Sequence, residues 1–149
     1  MKDAVRLRVL QPIREEVRLP SYGVRHGLLR QAVVDDLIPV ERTAIHRRLA
    51  EAIEGLRDDV ERTELRAALA IHWAEAGEPD RALPALLVAA RDAGAVQGHA
   101  EQAVLLDRAL ALWRVTRDPA TAAPDASTTT LFHDATRAAT WAGLYPLVL

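Results

Sequence analysis

The sequence predicts a mostly α-helical fold, in which a short β-hairpin near the N-terminus is followed by a stack of helices. Half of the 149 residues are hydrophobic, but only 4% are aromatic, and Ala and Leu supply most of the apolar content. Both residue types favour helices, and the small Ala side chain also lets two helices approach closely. A chain of this length can bury one substantial core, or two small ones in series.

The only predicted β structure lies within residues 7–25. Apolar residues at 9–10 and 17–24 flank a charged turn at residues 14–16. Pro12 and Pro20 suit edge or turn positions, because proline cannot donate a hydrogen bond to a neighbouring strand. A two-stranded hairpin is marginal alone, so we expect it to pack against helices.

From residue 28 onward, the apolar residues recur with helical spacing, and glycines and prolines divide the chain into segments. The predicted helices cover approximately residues 28–37, 40–56, 63–76, 79–92, 99–115 and 128–142. We predict that one stripe of the second helix is buried, namely Ile45, Leu49, Ala52, Ile53 and Leu56. Residues 118–127 are rich in Ala, Pro and Asp and are predicted to form a loop.

Charge and composition exclude several classes of function. The 19 basic and 21 acidic residues give a net charge of -2, so no overall basic field favours direct nucleic-acid binding. The absence of cysteine excludes disulfides and thiolate metal sites. No apolar run approaches the ~20 residues that span a bilayer, and the N-terminus lacks a secretory core. We therefore expect a cytoplasmic protein that does not bind a membrane.

Residues 69–89 have the spacing of a tetratricopeptide-like helical hairpin, with small residues where helices touch and large ones in the groove. The predicted packing positions are Leu69, Ala70, Trp73, Gly77, Ala82, Leu86 and Ala89. Residues 141–143 repeat the Ala-Gly ending of residues 75–77, and 66 residues separate Gly77 from Gly143. That separation is close to two units of a ~34-residue period. We therefore expect an incomplete array that ends within a repeat.

Four segments in order resemble motifs of LuxR-family ATP-dependent regulators, a STAND branch related to the maltose regulator. The pattern R-H-x-L-x-R-x-A is matched at residues 25–32, and D-D-L-x-P-x-E-R is matched at residues 35–42. L-H-R-x-L-A-E-A is matched at residues 45–52, with Ile45 in place of the first Leu, and H-W-x-x-A-G is matched at residues 72–77. The resemblance covers roughly residues 3–115 and more loosely the rest.

The resemblance implies two domains and a set of partners. Residues 1–58 would be the C-terminal part of a winged-helix module with its linker helix, and its β-hairpin a remnant of the wing. Residues 59–149 would be an incomplete tetratricopeptide-like sensor region. Family members join these parts to an ATPase core and a DNA-binding helix-turn-helix domain. ATP or ADP is thus implied for a full-length parent, whereas this chain has no Gly-rich phosphate loop and needs no cofactor of its own.

His26 is the nucleotide-sensing residue that the resemblance implies, with Arg25 beside it. In the family, a His at this strand-to-helix junction contacts the β-phosphate of ADP and thereby ties the winged helix to the ATPase core. An imidazole N–H can donate to a phosphate oxygen. Related motifs often place Asp after the His, and here the residue is Gly27. The alternative is that His26 caps the helix or packs under the wing.

The remaining polar residues predict no catalysis. His46 and His72 lack the i, i+4 spacing of a metal site, and we expect His72 and Trp73 to pack between repeat helices. No nucleophile stands beside a base. Two alternatives to the regulator fragment stay open, namely a free-standing helical-repeat adaptor that binds a protein or peptide, and the same region attached to a nucleotide cyclase.

Overall fold

The computed structural model of the chain describes residues 10–13, 21–24, 32, 35–56 and 65–144, and this part is mostly helical. The strands are β1 (Leu10–Ile13) and β2 (Ser21–Val24). The helices are α1 (Pro39–Glu54), α2 (Arg66–Glu75), α3 (Pro79–Ala95), α4 (His99–Trp113), α5 (Pro119–Ala122) and α6 (Thr128–Trp141). The chain divides into two compact units, Met1–Arg42 and Thr43–Leu149.

The first unit contains the two strands, which lie within the segment where the sequence predicts β structure. They pair antiparallel in a register that runs from Leu10 opposite Val24 to Ile13 opposite Ser21. Both strands of a two-stranded sheet are edge strands. Pro12 of β1 therefore removes no hydrogen bond to a further strand. The predicted helix over residues 28–37 and the predicted domain boundary after residue 58 fall largely outside the described residues.

The first turn of α1 shows why its sequence begins a helix. Pro39 occupies the first helical position, where the missing N–H costs nothing. The Glu41 Oε2 atom accepts a hydrogen bond of 3.1 Å from the backbone N–H of Ile38, as in one half of a capping box. The D-D-L-x-P-x-E-R pattern therefore contains a helix-start signal at Pro39 and Glu41.

In the second unit, α2, α3, α4 and α6 pack in that order, and α5 lies against α3. Arg66 at the start of α2 pairs with Asp92 near the end of α3, with Nη1 and Oδ2 2.8 Å apart. His99 at the start of α4 contacts Trp141 at the end of α6, with ring centroids 4.8 Å apart. Consecutive helices of the stack therefore run antiparallel.

The core of this unit is built largely from alanine and leucine. Helix α3 lies between α2 and α4 and is buried on both sides, through Ala82, Leu83, Leu86, Ala89, Ala90 and Ala93. Ala70 of α2, Ala109 of α4 and Ala138 of α6 supply small residues at the facing positions. Trp73 is the one large aromatic among the fully buried side chains of the described residues.

Three helices of the stack end in the same way. After α2, the Glu78 N–H donates to the Trp73 carbonyl and the Gly77 N–H to the Ala74 carbonyl, which is the Schellman pattern. The same bonds occur around Gly143 after α6 and around Gln97 after α3. The φ angles are 69° at Gly77, 72° at Gly143 and 60° at Gln97. Glycine adopts this left-handed conformation freely, and glutamine does not.

The interpretation of Gly77 and Gly143 as equivalent points two repeat units apart is wrong. Equivalent helices of such an array run in the same direction, whereas α6 is antiparallel to α4 and hence also to α2. The Ala-Gly similarity instead reflects the shared Schellman ending, which any helix of the stack can adopt.

Two other expectations are corrected. Residues 118–127 contain the single-turn helix α5, with Pro119 at its first position and the Asp118 side chain accepting from the Thr121 N–H at 3.2 Å. The apolar stripe of α1 is not its buried face, since Ile45 and Leu49 are 41% and 43% exposed. Ala50 is the fully buried residue of α1, and it packs in one apolar cluster with Trp73, Ala76 and Ala82.

Substitution of Gln97 by Gly is expected to stabilise the protein by about 0.5–1 kcal/mol, because it relieves a left-handed conformation in a residue with a Cβ atom. The measurement is urea denaturation of the wild type, Gln97→Gly and Gln97→Ala. The Ala variant is the control, since it also removes the polar part of the glutamine side chain but keeps the Cβ atom. Equal stabilities of the Gly and Ala variants would contradict the strain at this position.

Candidate functional site

A groove with a volume of about 710 Å³ lies among the described residues. Helices α3 and α6 form its walls and α4 its floor, and the α5 segment lies at one end. All of its lining residues belong to the second unit. Ligand sites of small molecules typically have volumes of ~300–1,000 Å³. The groove is therefore of a size that accepts a small molecule.

One end of the groove is apolar. The walls and floor there consist of Pro84, Leu87, Val88, Leu106, Ala123, Pro124, Ala126 and Leu131. Asp125 and Thr130 are the polar residues at this end. Pro84 lies inside α3, and the helix nevertheless continues to Ala95. An apolar group placed at this end would leave water and make contacts mainly with aliphatic carbon.

The other end of the groove is polar and aromatic. The Arg137 guanidinium donates to Asp134 Oδ1 at 2.9 Å and lies over the Trp141 ring, 5.6 Å from its centroid. His99 contacts the same indole edge-on, with an interplanar angle of 60°. Trp141 itself is 62% exposed, although it borders a groove. The ring is thus held by two neighbours and still presents surface to solvent.

Arg91 differs from the other arginine of the groove. It lies one helical turn before the end of α3, at the polar end, and makes no hydrogen bond or ion pair with another described residue. Its neighbour in sequence, Asp92, is engaged by Arg66 of α2. Arg91 therefore contributes an unpaired positive charge to the polar end of the groove.

A second polar cluster joins α1 to α2. The Nδ1 atoms of His46 and His72 are 3.0 Å apart, so one ring donates its proton and the other accepts it. Burial lowers the pKa of His72, and the neighbouring His46 lowers it further, while Glu75 acts in the opposite direction. The arrangement requires that at least one ring be neutral, because two imidazolium rings would repel each other at this distance.

Glu54 and Arg47 complete this attachment of α1. Trp73 Nε1 donates to Glu54 Oε1 at 2.9 Å, which satisfies the only polar group of that buried side chain. Arg81 approaches the other oxygen of Glu54 at 3.4 Å and also lies over the Trp73 ring, 4.5 Å from its centroid. Arg47 pairs with Glu78 at the turn between α2 and α3. Helix α1 is thus held in this unit by these polar contacts and by Ala50, which is buried together with Trp73, Ala76 and Ala82.

The site residues predicted from the sequence fall partly outside and partly inside the described residues. The nucleotide-sensing candidates, His26 and Arg25, lie outside the described residues. Of the seven packing positions, five are buried between helices, namely Ala70, Trp73, Ala82, Leu86 and Ala89. Leu69 is half-buried against Trp73 and its neighbours, and Gly77 forms the turn after α2.

Sequence reasoning missed the groove and the contact between His46 and His72. The two histidines are 26 residues apart, and their contact depends on which face of α1 is buried. Arg91 carries no local motif, and only the antiparallel order of α3, α4 and α6 brings it near His99 and Trp141.

No group of three or more metal-ligating side chains is present in the part of the chain that the structure describes. Within the same residues, no helix combines the length and the apolar character needed to cross a membrane. Comparisons with protein families, with curated proteins and with solved structures find no match to this chain.

Acidification is expected to destabilise the protein through His72. The folded state holds the pKa of His72 below its ordinary value of 6.5, so the unfolded state binds more protons as the pH falls through that value. The stabilising contribution is therefore complete above about pH 6.5 and is lost as the pH falls. The measurement is the free energy of unfolding of the wild type and of His72→Gln at several pH values between about 7.5 and 5. This range brackets the ~6.5 pKa of an ordinary histidine side chain.

The variant should show a shallower loss of stability on acidification than the wild type. His133→Gln is the control, because it makes the same change at a side chain that is 72% exposed. Parallel profiles for the wild type and His72→Gln would contradict the account.

Proposed function

We propose that the chain is a non-catalytic ligand-binding module of tetratricopeptide-like helices, and that the groove over α4 is its binding site. The observation that carries the proposal is the groove itself, with an apolar end and a polar end along one wall. The buried positions of α2 and α3 support the repeat assignment, since small residues occur where the two helices touch.

We further propose that this module is the sensor part of a LuxR-family, STAND-type regulator, in which it couples nucleotide state to ligand binding. The ordered matches at residues 35–42, 45–52 and 72–77 support this assignment. In this arrangement, α1 is the linker between the winged helix and the sensor. Its polar attachment to α2 and α3, through His46, Arg47 and Glu54, would let the linker respond to changes in the stack.

The binding function is tested with Nile red, an uncharged dye that fluoresces in apolar surroundings. We expect saturable binding with one dye per chain. Val88→Trp should abolish it, because Val88 lies in the groove wall, is 38% exposed, and an indole at this position would occupy the apolar end where the dye binds.

The matched control is Val104→Trp, since Val104 is 51% exposed on α4 and does not line the groove. This variant should bind the dye as the wild type does. Equal binding by both variants, or no saturable binding by the wild type, would contradict the proposed site.

The regulator assignment is tested separately by sequencing the DNA on both sides of the reading frame. A P-loop ATPase encoded upstream and a helix-turn-helix domain downstream are the expected results. Unrelated genes on both sides would favour a free-standing helical adaptor, and a cyclase domain upstream would favour the enzyme-linked form. Calorimetry should also show that the isolated chain does not bind ATP or ADP saturably, because it lacks the phosphate loop.

A further inference from the structure

We propose that the natural ligand of the groove is a small amphipathic monocarboxylate, whose carboxylate pairs with Arg91 and whose apolar chain lies along the groove toward α5. This inference rests on the proposed binding function and adds the chemical class of the ligand.

The volume and the lining favour a small molecule with one polar end. The distance along α3 from Pro84 to Arg91 is about 10 Å, since a helix rises ~1.5 Å per residue. An aliphatic chain of about eight carbons spans a similar length. Over this distance the wall changes from aliphatic side chains to the guanidinium of Arg91.

The charges at the polar end favour an anionic group. Arg137 is already neutralised by Asp134, with which it forms an ion pair of 2.9 Å. Arg91 is the cation that lines the groove without a partner among the described residues. A planar guanidinium binds a carboxylate through two parallel hydrogen bonds, which neither a hydroxyl nor an amide can fully replace.

The helix dipoles do not supply a second anion-binding element. The C-terminal ends of α3 and α6 and the N-terminal end of α4 meet at the polar end, as the contact between His99 and Trp141 shows. Two partial negative charges therefore oppose one partial positive charge. Discrimination in favour of a carboxylate consequently depends on Arg91.

Asp125 makes the site selective for a single negative charge. It lines the apolar end of the groove, and its carboxylate has no partner among the described residues. A ligand with a second carboxylate at its far end would bring that charge close to the Asp125 carboxylate, and like charges repel each other. Dicarboxylates should accordingly bind more weakly than monocarboxylates of the same length.

The test uses displacement of Nile red at pH 7 by octanoate, octanamide and octanedioate, which have the same chain length and differ in charge. Octanoate should compete at least tenfold better than either of the others. Arg91→Gln should weaken octanoate about tenfold or more, which is the effect of losing one charge-assisted bidentate contact. The variant should weaken octanamide far less than octanoate, with each displacement corrected for the affinity of that variant for the dye, and Arg91→Lys should give an intermediate loss.

The control is Arg114→Gln, which removes an exposed arginine at the end of α4 that does not line the groove. Octanoate should displace Nile red from this variant as effectively as from the wild type. If octanoate and octanamide compete equally and Arg91→Gln has no effect, the ligand class is wrong while the groove remains a binding site. If Nile red itself does not bind, the proposed function fails, and the ligand class fails with it.

Discussion

Close packing of small side chains around α3 is the constraint on which the rest of the second unit depends. This helix presents buried residues to α2 on one side and to α4 on the other, and alanine supplies four of its six buried positions. Alanine brings the helix axes close together, while Leu83 and Leu86 fill the space that remains. A larger residue at Ala82 or Ala89 would have to displace a neighbouring helix, because such interiors are packed as densely as crystals.

The groove follows from this packing. Neighbouring helices lie ~8–10 Å apart, so α3 and α6, which pack on either side of α4, leave an open space above it. The side chains of α3 and α6 that face this space include Val88, Arg91, Asp134 and Trp141, and they do not fill it. The insertion of α5 between α4 and α6 occupies one end only. Tight contacts between helices and an open groove are therefore two results of one arrangement.

Much of this architecture could be predicted from local signals. Pro39, Pro79 and Ser127 mark where helices begin, and the glycines at 77 and 143 mark where they end. The positions of small and large packing residues in α2 and α3 could likewise be predicted, because helical spacing alone places them on one face. Each of these signals depends on only a few neighbouring residues, so the sequence alone contains it.

Local sequence signals could not predict the features that depend on the arrangement of the helices. The apolar stripe of Ile45 and Leu49 predicted the wrong buried face of α1, because the side that packs carries Ala50. On that side Glu54 accepts a hydrogen bond from Trp73, and His46 is hydrogen-bonded to His72. The Ala-Gly similarity at Gly143 suggested a repeat, since a helix-ending motif and a repeat position look alike in sequence. The approach of Arg91 to His99 and Trp141 needs the antiparallel order of three helices, which no local pattern encodes.

Backbone amide chemical-shift mapping with an isotope-labelled chain and octanoate tests the location of the binding site most directly. The account predicts shifts confined to the groove, at Leu87, Arg91, Leu106 and Leu131, together with the indole N–H of Trp141. The exposed stripe of α1 at Ile45 and Leu49 is an apolar surface outside the groove that could attract the probe. Shifts centred on that stripe, with none around Arg91 and Leu106, would contradict the central claim.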